Sequence, residues 1–116
     1  MKQLTNILKF LSDENRLRMI LLLYQEELLV CQLSSILDIQ QPRISQNLSK
    51  LRDLNLVNDE RKEKFVSYSL RRDSKMLIDI LENILVDLEF YPQLVVDKNR
   101  LKNKEMYLNL CCPRND

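Results

Sequence analysis

The chain has 116 residues, of which 45% are hydrophobic and 30% charged, with a formal net charge of +1. That length and balance describe one globular domain with a modest core, and they exclude a disordered chain or a broadly basic nucleic-acid coat. Gly and His are both absent, so a Gly-rich phosphate loop, the commonest general base and the commonest zinc ligand are missing, and an enzyme is the weakest class.

Charge is unevenly placed. Residues 1–72 hold 12 Lys and Arg against 9 Asp and Glu, whereas residues 73–116 hold 6 against 8. The positive excess therefore lies in the first two thirds of the chain. The three cysteines, Cys31, Cys111 and Cys112, are odd in number and two are adjacent, which is no disulfide framework. No signal-peptide pattern and no apolar run of roughly 18–20 residues is present, so the sequence predicts a reducing cytoplasmic setting and no membrane partner.

In chain order, Leu4, Ile7, Leu8 and Leu11 recur at helical spacing and predict a short amphipathic helix over Lys2 to Leu11. Ser12-Asp13 supplies N-cap chemistry for a second helix, about Glu14 to Tyr24, with Leu17, Ile20, Leu21 and Tyr24 inward. Leu28-Leu29-Val30 reads as an extended lead-in. A short third helix follows from Cys31 to Asp38, with Leu33, Ile36 and Leu37 inward and Ile39-Gln40 as the turn.

Residues 41–54 form the centre of the sequence. Pro42 suits the first turn of a helix, where its missing N–H has no partner to lose. Ile44, Leu48, Leu51 and Leu54 follow at spacings of four, three and three, which fixes one face to a core. The other face carries Gln41, Arg43, Ser45, Gln46, Asn47 and Lys50. Arg can grip guanine edges, Gln and Asn can grip adenine edges, and Lys or Ser can hold phosphate. Taken alone, this helix is equally well read as an ordinary solvated surface helix. Two short helices joined by a tight turn, the second with a polar outer face, match a helix-turn-helix that reads double-stranded DNA.

Asn55 stands where a helix-ending Gly is usual, and Asn is the next most tolerant of a left-handed backbone. Leu56-Val57 opens an extended segment, and Phe65 to Leu70 alternates apolar and small polar residues in strand fashion. Between them, Arg61-Lys62-Glu63-Lys64 reads as the charged turn of a hairpin. Directly after a helix-turn-helix, such a hairpin is a wing whose Arg61, Lys62 and Lys64 can reach phosphates or the minor groove. The alternative is a solvated hairpin tip.

Ser74 can cap a further helix from Lys75 to about Phe90. Its apolar residues cover more than half its circumference, more than one small core needs. The excess predicts a subunit interface and a homodimer, whose twofold symmetry suits a palindromic site. Residues 93–110 predict a more polar helix around Leu94, Leu101, Met106 and Leu110, followed by a tail with Cys111-Cys112-Pro113. The expected organisation is a mainly α winged helix-turn-helix domain with a small β-hairpin over residues 1–92, which also carries the dimer interface, and a C-terminal helix with a cysteine-containing tail over 93–116.

Several stretches resemble one family in order. Phe10 to Leu23, with its Ser12-Asp13-Glu14-Asn15-Arg16-Leu17, resembles the opening segment of ArsR/SmtB winged-helix repressors. Glu27-Leu28-Leu29-Val30-Cys31-Gln32-Leu33 resembles that family's metal-box stretch, Glu-Leu-Cys-Val-Cys-Asp-Leu. Gln41-Pro42-Arg43-Ile44-Ser45-Gln46-Asn47-Leu48 resembles its recognition-helix signature, and Leu51 to Val57 the Leu-Arg-x-x-Gly-Leu-Val that follows. The resemblance implies a dimeric operator-binding repressor, dimerising through its first and late helices, that is released when a metal, metalloid or other inducer binds. It departs at the box, where Leu29 and Gln32 replace a Cys and an Asp. Only Cys31 remains, and a zinc, nickel or cobalt sensor of that type is not expected.

The effector expectation therefore rests on thiols. Trivalent arsenic and antimony prefer thiolates, commonly three, and no other cofactor is required. The leading expectation is an As(III) or Sb(III) inducer held by Cys31, Cys111 and Cys112, with Cys31 activated at a helix start. A thiol-redox or persulfide sensor is the alternative. So is a Cys31 that only fills the core beside incidental tail cysteines. A winged-helix protein-interaction module is the competing class for the whole chain.

Overall fold

The computed structural model describes residues 1–104. In chain order it runs α1 (Lys2–Leu11), α2 (Glu14–Gln25), β1 (Leu28–Leu29), α3 (Val30–Leu37), α4 (Gln41–Asp53), β2 (Val57–Lys62), β3 (Phe65–Leu70), α5 (Lys75–Val86), a 3-10 turn (Leu88–Phe90) and α6 (Pro92–Leu101). The three strands form one antiparallel sheet in the order β1-β3-β2. Helices α3 and α4 form the helix-turn-helix, and β2 and β3 form the wing.

Helix α2 is the centre of the core, with Met19, Ile20, Leu21, Leu22 and Leu23 all buried. Leu33 and Ile36 of α3 and Ile44, Leu48 and Leu51 of α4 are fully buried in the same cluster. Each such side chain contributes roughly 1.5–3 kcal/mol by leaving water, which is what fixes the two helices to α2. Asp13 caps α2 as expected, its carboxylate accepting from the Arg16 amide at 3.1 Å. Ser74 likewise caps α5 through the Leu77 amide at 3.4 Å.

A chain without Gly must place other residues in the left-handed region, and Asp38 (φ 58°), Asn55 (φ 61°) and Glu63 (φ 57°) are the three. Asp38 ends α3 and makes the turn into α4, and Asn55 ends α4 as its residue type predicts. Leu28 and Leu29 do more than lead into α3, because they pair with Tyr68 and Ser67 as a third strand.

Two boundaries and one side chain differ from expectation. Arg61 and Lys62 belong to β2, opposite Val66 and Phe65, so the hairpin turn is only Glu63-Lys64. Ser67, expected on the polar side of β3, is buried and donates its hydroxyl to the Glu27 carboxylate. Helix α5 stops at Val86 instead of Phe90. The backbone leaves the helical region at Asp87 (φ −104°, ψ 28°), well before Pro92, whose ring bars one continuous helix from running on into α6. The chain instead passes through the 3-10 turn, and Pro92 opens α6.

Helix α6 packs on α2 and α3 and adds Leu101 to the core. It is held there by buried polar bonds between Arg18 and Asp97. Met106 and Leu110, expected on this helix, lie outside the described residues. Among the described residues no helix is long and apolar enough to cross a membrane.

Candidate nucleic-acid interface

The outer face of α4 is built by exclusion. Ile44, Leu48 and Leu51 are consumed by the core, which leaves Gln41, Pro42, Arg43, Ser45, Gln46, Ser49 and Lys50 exposed. The turn that presents them is closed by the Ile39 amide on the Ser34 carbonyl at 3.1 Å and by the Ser34 hydroxyl on the Ile39 carbonyl. Gln40 then caps α4 through its backbone, its carbonyl accepting from the Arg43 and Ile44 amides. The positive end of the helix dipole at this N-terminus favours a nearby anion.

The structure brings Arg43, Gln46 and Lys50 together along one polar cleft of about 440 Å³. That cleft also holds Arg16, Asp13 and Asn47. Among the described residues, no carboxylate pairs with the side chains of Arg16, Arg43 or Lys50, whereas Arg18, Arg52 and Arg71 all pair with aspartates. Charges left uncompensated beside a helix N-terminus are suited to an anionic polymer.

One residue of the expected reading face is placed differently. Asn47 is 7% exposed and its side-chain oxygen accepts from Arg16 Nε at 3.3 Å. Its spacing, three after Ile44 and next to Leu48, turns it to the edge of the buried stripe. Arg16 was not among the residues singled out from sequence. The only sign of it lay in its position within the opening segment, since the partner residue is 31 positions away.

The wing stands beside this helix. Arg61, Glu63 and Lys64 are exposed, and Lys62 pairs through its backbone position with Phe65 at the end of the ladder. Arg52, on the last turn of α4, bonds Asp59 of β2 at 3.0 Å and so ties wing to helix. On the far side of the fold, Tyr24 donates to Glu82 at 2.9 Å, a bond that raises the phenol pKa and joins α2 to α5.

The cysteine site is described only in part. Cys31 is 3% exposed in the first turn of α3. It is disulfide-bonded in this structure. Cys111 and Cys112, the other two expected thiol ligands, lie outside the described residues as well. Beside Cys31, Gln32 accepts from the Leu29 amide at 2.9 Å and donates to the Lys104 carbonyl at 3.1 Å. The residue that replaces the box Asp thus closes the start of α3 and connects it to the chain just beyond α6. Among the described residues no group of His, Cys, Asp or Glu could hold a metal ion.

A three-helix core around α2, an exposed polar helix and an adjoining two-stranded wing define a winged helix-turn-helix regulator. Residues 13–59 match the family described as "Bacterial regulatory protein, arsR family". The Pseudomonas putida regulator ArsR2, named for arsenic resistance, is 34% identical over 112 residues, covering 92% of this chain and 96% of that protein. ArsR1 of the same organism is 38% identical over 82 residues, covering 70% of this chain. The match spans 64% of ArsR1, just under two thirds of its length. The solved structure titled reduced HlyU from Vibrio cholerae superposes with a TM-score of 0.65 at 32% identity, covering 72% of this chain and 85% of that one. The protein belongs to the ArsR family of bacterial transcriptional regulators.

Proposed function

We propose that this protein is a homodimeric repressor that binds duplex operator DNA through α4 and the wing and leaves it when a thiol-binding inducer is captured. The observation that carries this reading is the exposed face of α4, where Arg43, Gln46 and Lys50 line one cleft and, among the described residues, have no carboxylate partners. Arg43 and Gln46 are the base readers, with Gln41 and Ser45 beside them. Lys50, Arg61, Lys62 and Lys64 contact phosphates.

The dimer reading is supported by apolar surface that one subunit leaves uncovered. Val86 on α5 is 80% exposed and Leu8 on α1 is 46% exposed. Ile80 and Ile84 of α5 are only half-buried.

As(III) or Sb(III), held by the thiolates of Cys31, Cys111 and Cys112, is the proposed inducer. The arsenic-resistance names of ArsR1 and ArsR2 favour that class. Induction requires the inducer to bind the low-affinity form of the repressor better, and a coupling of about 3 kcal/mol weakens operator binding a hundredfold. The contact of Gln32 with Lys104 gives a route, since a ligand that rearranges the start of α3 also disturbs the chain that leaves α6. A second reading is favoured by the disulfide at Cys31: a thiol-redox switch in which oxidation itself is the signal.

Fluorescence anisotropy of the reduced protein on its own upstream DNA, at fixed salt, tests these readings. Specific binding lost with arsenite, and retained with zinc or diamide, supports the metalloid inducer. Loss with diamide alone supports the redox switch. No preference for any upstream sequence rejects the operator-binding reading and leaves the protein-interaction module.

A further inference from the structure

Arg16 is held in a manner its place in the core does not require. It stands in the first turn of α2, where its neighbours Leu17 and Met19 pack inward. Its guanidinium lies over the Phe10 ring, 5.1 Å from the centroid, and its Nε donates to Asn47 Oδ1 at 3.3 Å. Those two contacts use one face and one edge of the group. Arg16 has no carboxylate partner among the described residues, and it lines the same cleft as Arg43 and Lys50 of α4. Asp13, the acidic side chain in that cleft, already accepts from the Arg16 amide to cap α2.

Resting on the operator-binding reading, we propose that Arg16 is a phosphate contact. Together with Lys50, which lines the same cleft, it forms a seat for one DNA backbone phosphate at the edge of the groove that α4 reads. The chemistry fits: a guanidinium stacked on a ring and anchored through Nε still presents its terminal N–H donors as a fork, which suits a phosphodiester. The anchor also explains why a buried Asn stands on the reading helix. Asn47 does not read a base; it sets the angle of Arg16, so the phosphate seat and the base-reading side chains move as one body. A contact of this kind fixes the register of the helix on the duplex and carries no sequence preference of its own.

The test compares wild type, Arg16→Gln and Arg16→Lys, with melting curves to establish that each is folded. Affinity is measured on operator and on scrambled duplex across a range of salt. The expected result for Arg16→Gln is a loss on the order of tenfold on both duplexes and a shallower salt dependence, by about one in the log–log slope. Arg16→Lys restores the slope. An unchanged slope in a folded Arg16→Gln overturns the proposal while leaving the operator reading intact. A selective loss on operator alone also overturns it, since that marks a base reader. Failure of wild type to prefer operator overturns the underlying reading instead. Inorganic phosphate titrated into the free protein separates a free-anion site from a DNA contact: saturation at millimolar phosphate overturns the proposal, and no saturable shift of the Arg16 and Lys50 amide resonances is expected.

Discussion

Arg18 and Asp97 meet as a two-pronged ion pair inside the protein, Nε to Oδ2 and Nη2 to Oδ1, both at 2.9 Å. Their side chains are 11% and 3% exposed, and they join α2 to α6 across 79 positions of sequence. Asn15 accepts from Arg18 Nη1 and Gln93 donates to Asp97 Oδ1, so both charges are well supplied with partners. The bond to Asp97 holds the Arg18 pKa above its ordinary value, against the opposing effect of burial. A raised basic pKa adds stability that is present below the ordinary Arg value and lost only as pH rises through the folded value. Both lie far above neutral pH, so Arg18 stays charged throughout the working range.

Removing one partner leaves the other charge buried and uncompensated. Asp97→Ala is expected to cost about 3–5 kcal/mol in urea unfolding, a large part of a typical domain's stability of about 5–15 kcal/mol. The double replacement Arg18→Met with Asp97→Leu should recover most of that loss, because the desolvation of both ions is then avoided. A single Asp97→Ala that unfolds at the wild-type urea midpoint would show that the pair is not holding α6.

This pair also marks the limit of what the sequence disclosed. Helix α4 was legible because apolar spacing, Pro42 and Asn55 are local signals that all agree. The wing was legible from the alternation around Tyr68. Asn47 was misplaced because an amide at the edge of the buried stripe looks like any other polar residue until Arg16 is seen beside it. Arg18 and Asp97 each look like surface charges in their own helices. Only the tertiary packing of α6 on α2 makes them partners, and nothing at short range encodes that.

For the reading helix, Arg43→Ala and Gln46→Ala should each cost about 1–3 kcal/mol of discrimination between operator and scrambled DNA. Neither side chain touches the core, so the melting temperature should stay unchanged. Equal losses on both duplexes would demote the residue concerned to a phosphate contact.

On the proposed dimer face, a charge at the middle of α5 should separate the subunits. Ile80→Asp is expected to shift sedimentation from dimer to monomer and to weaken operator binding by an order of magnitude or more, since two half-sites are no longer bound together. A variant that remains dimeric would place the interface elsewhere.

At the start of α3, Cys31→Ser tests the inducer. The variant should bind operator like the reduced wild type but lose its release by arsenite. Retained release would remove Cys31 from the ligand set. In the redox reading the same variant becomes insensitive to diamide, so both reagents belong in the same titration.

The turn of the wing offers a test of backbone strain alone. Glu63 holds φ 57°, where a side chain with a Cβ costs about 1–2 kcal/mol. Glycine would relieve that cost but would lose more entropy on folding, by roughly 0.5–1 kcal/mol. The balance predicts that Glu63→Gly stabilises the protein by about 0.5–1 kcal/mol and raises its melting temperature by a few degrees. It also removes one negative charge between Arg61 and Lys64, so affinity for any duplex should rise modestly while preference for the operator stays the same. Stabilisation without tighter DNA binding would mean that the tip of the wing does not approach the phosphates. Tighter binding without stabilisation would place the effect in the charge and not in the turn.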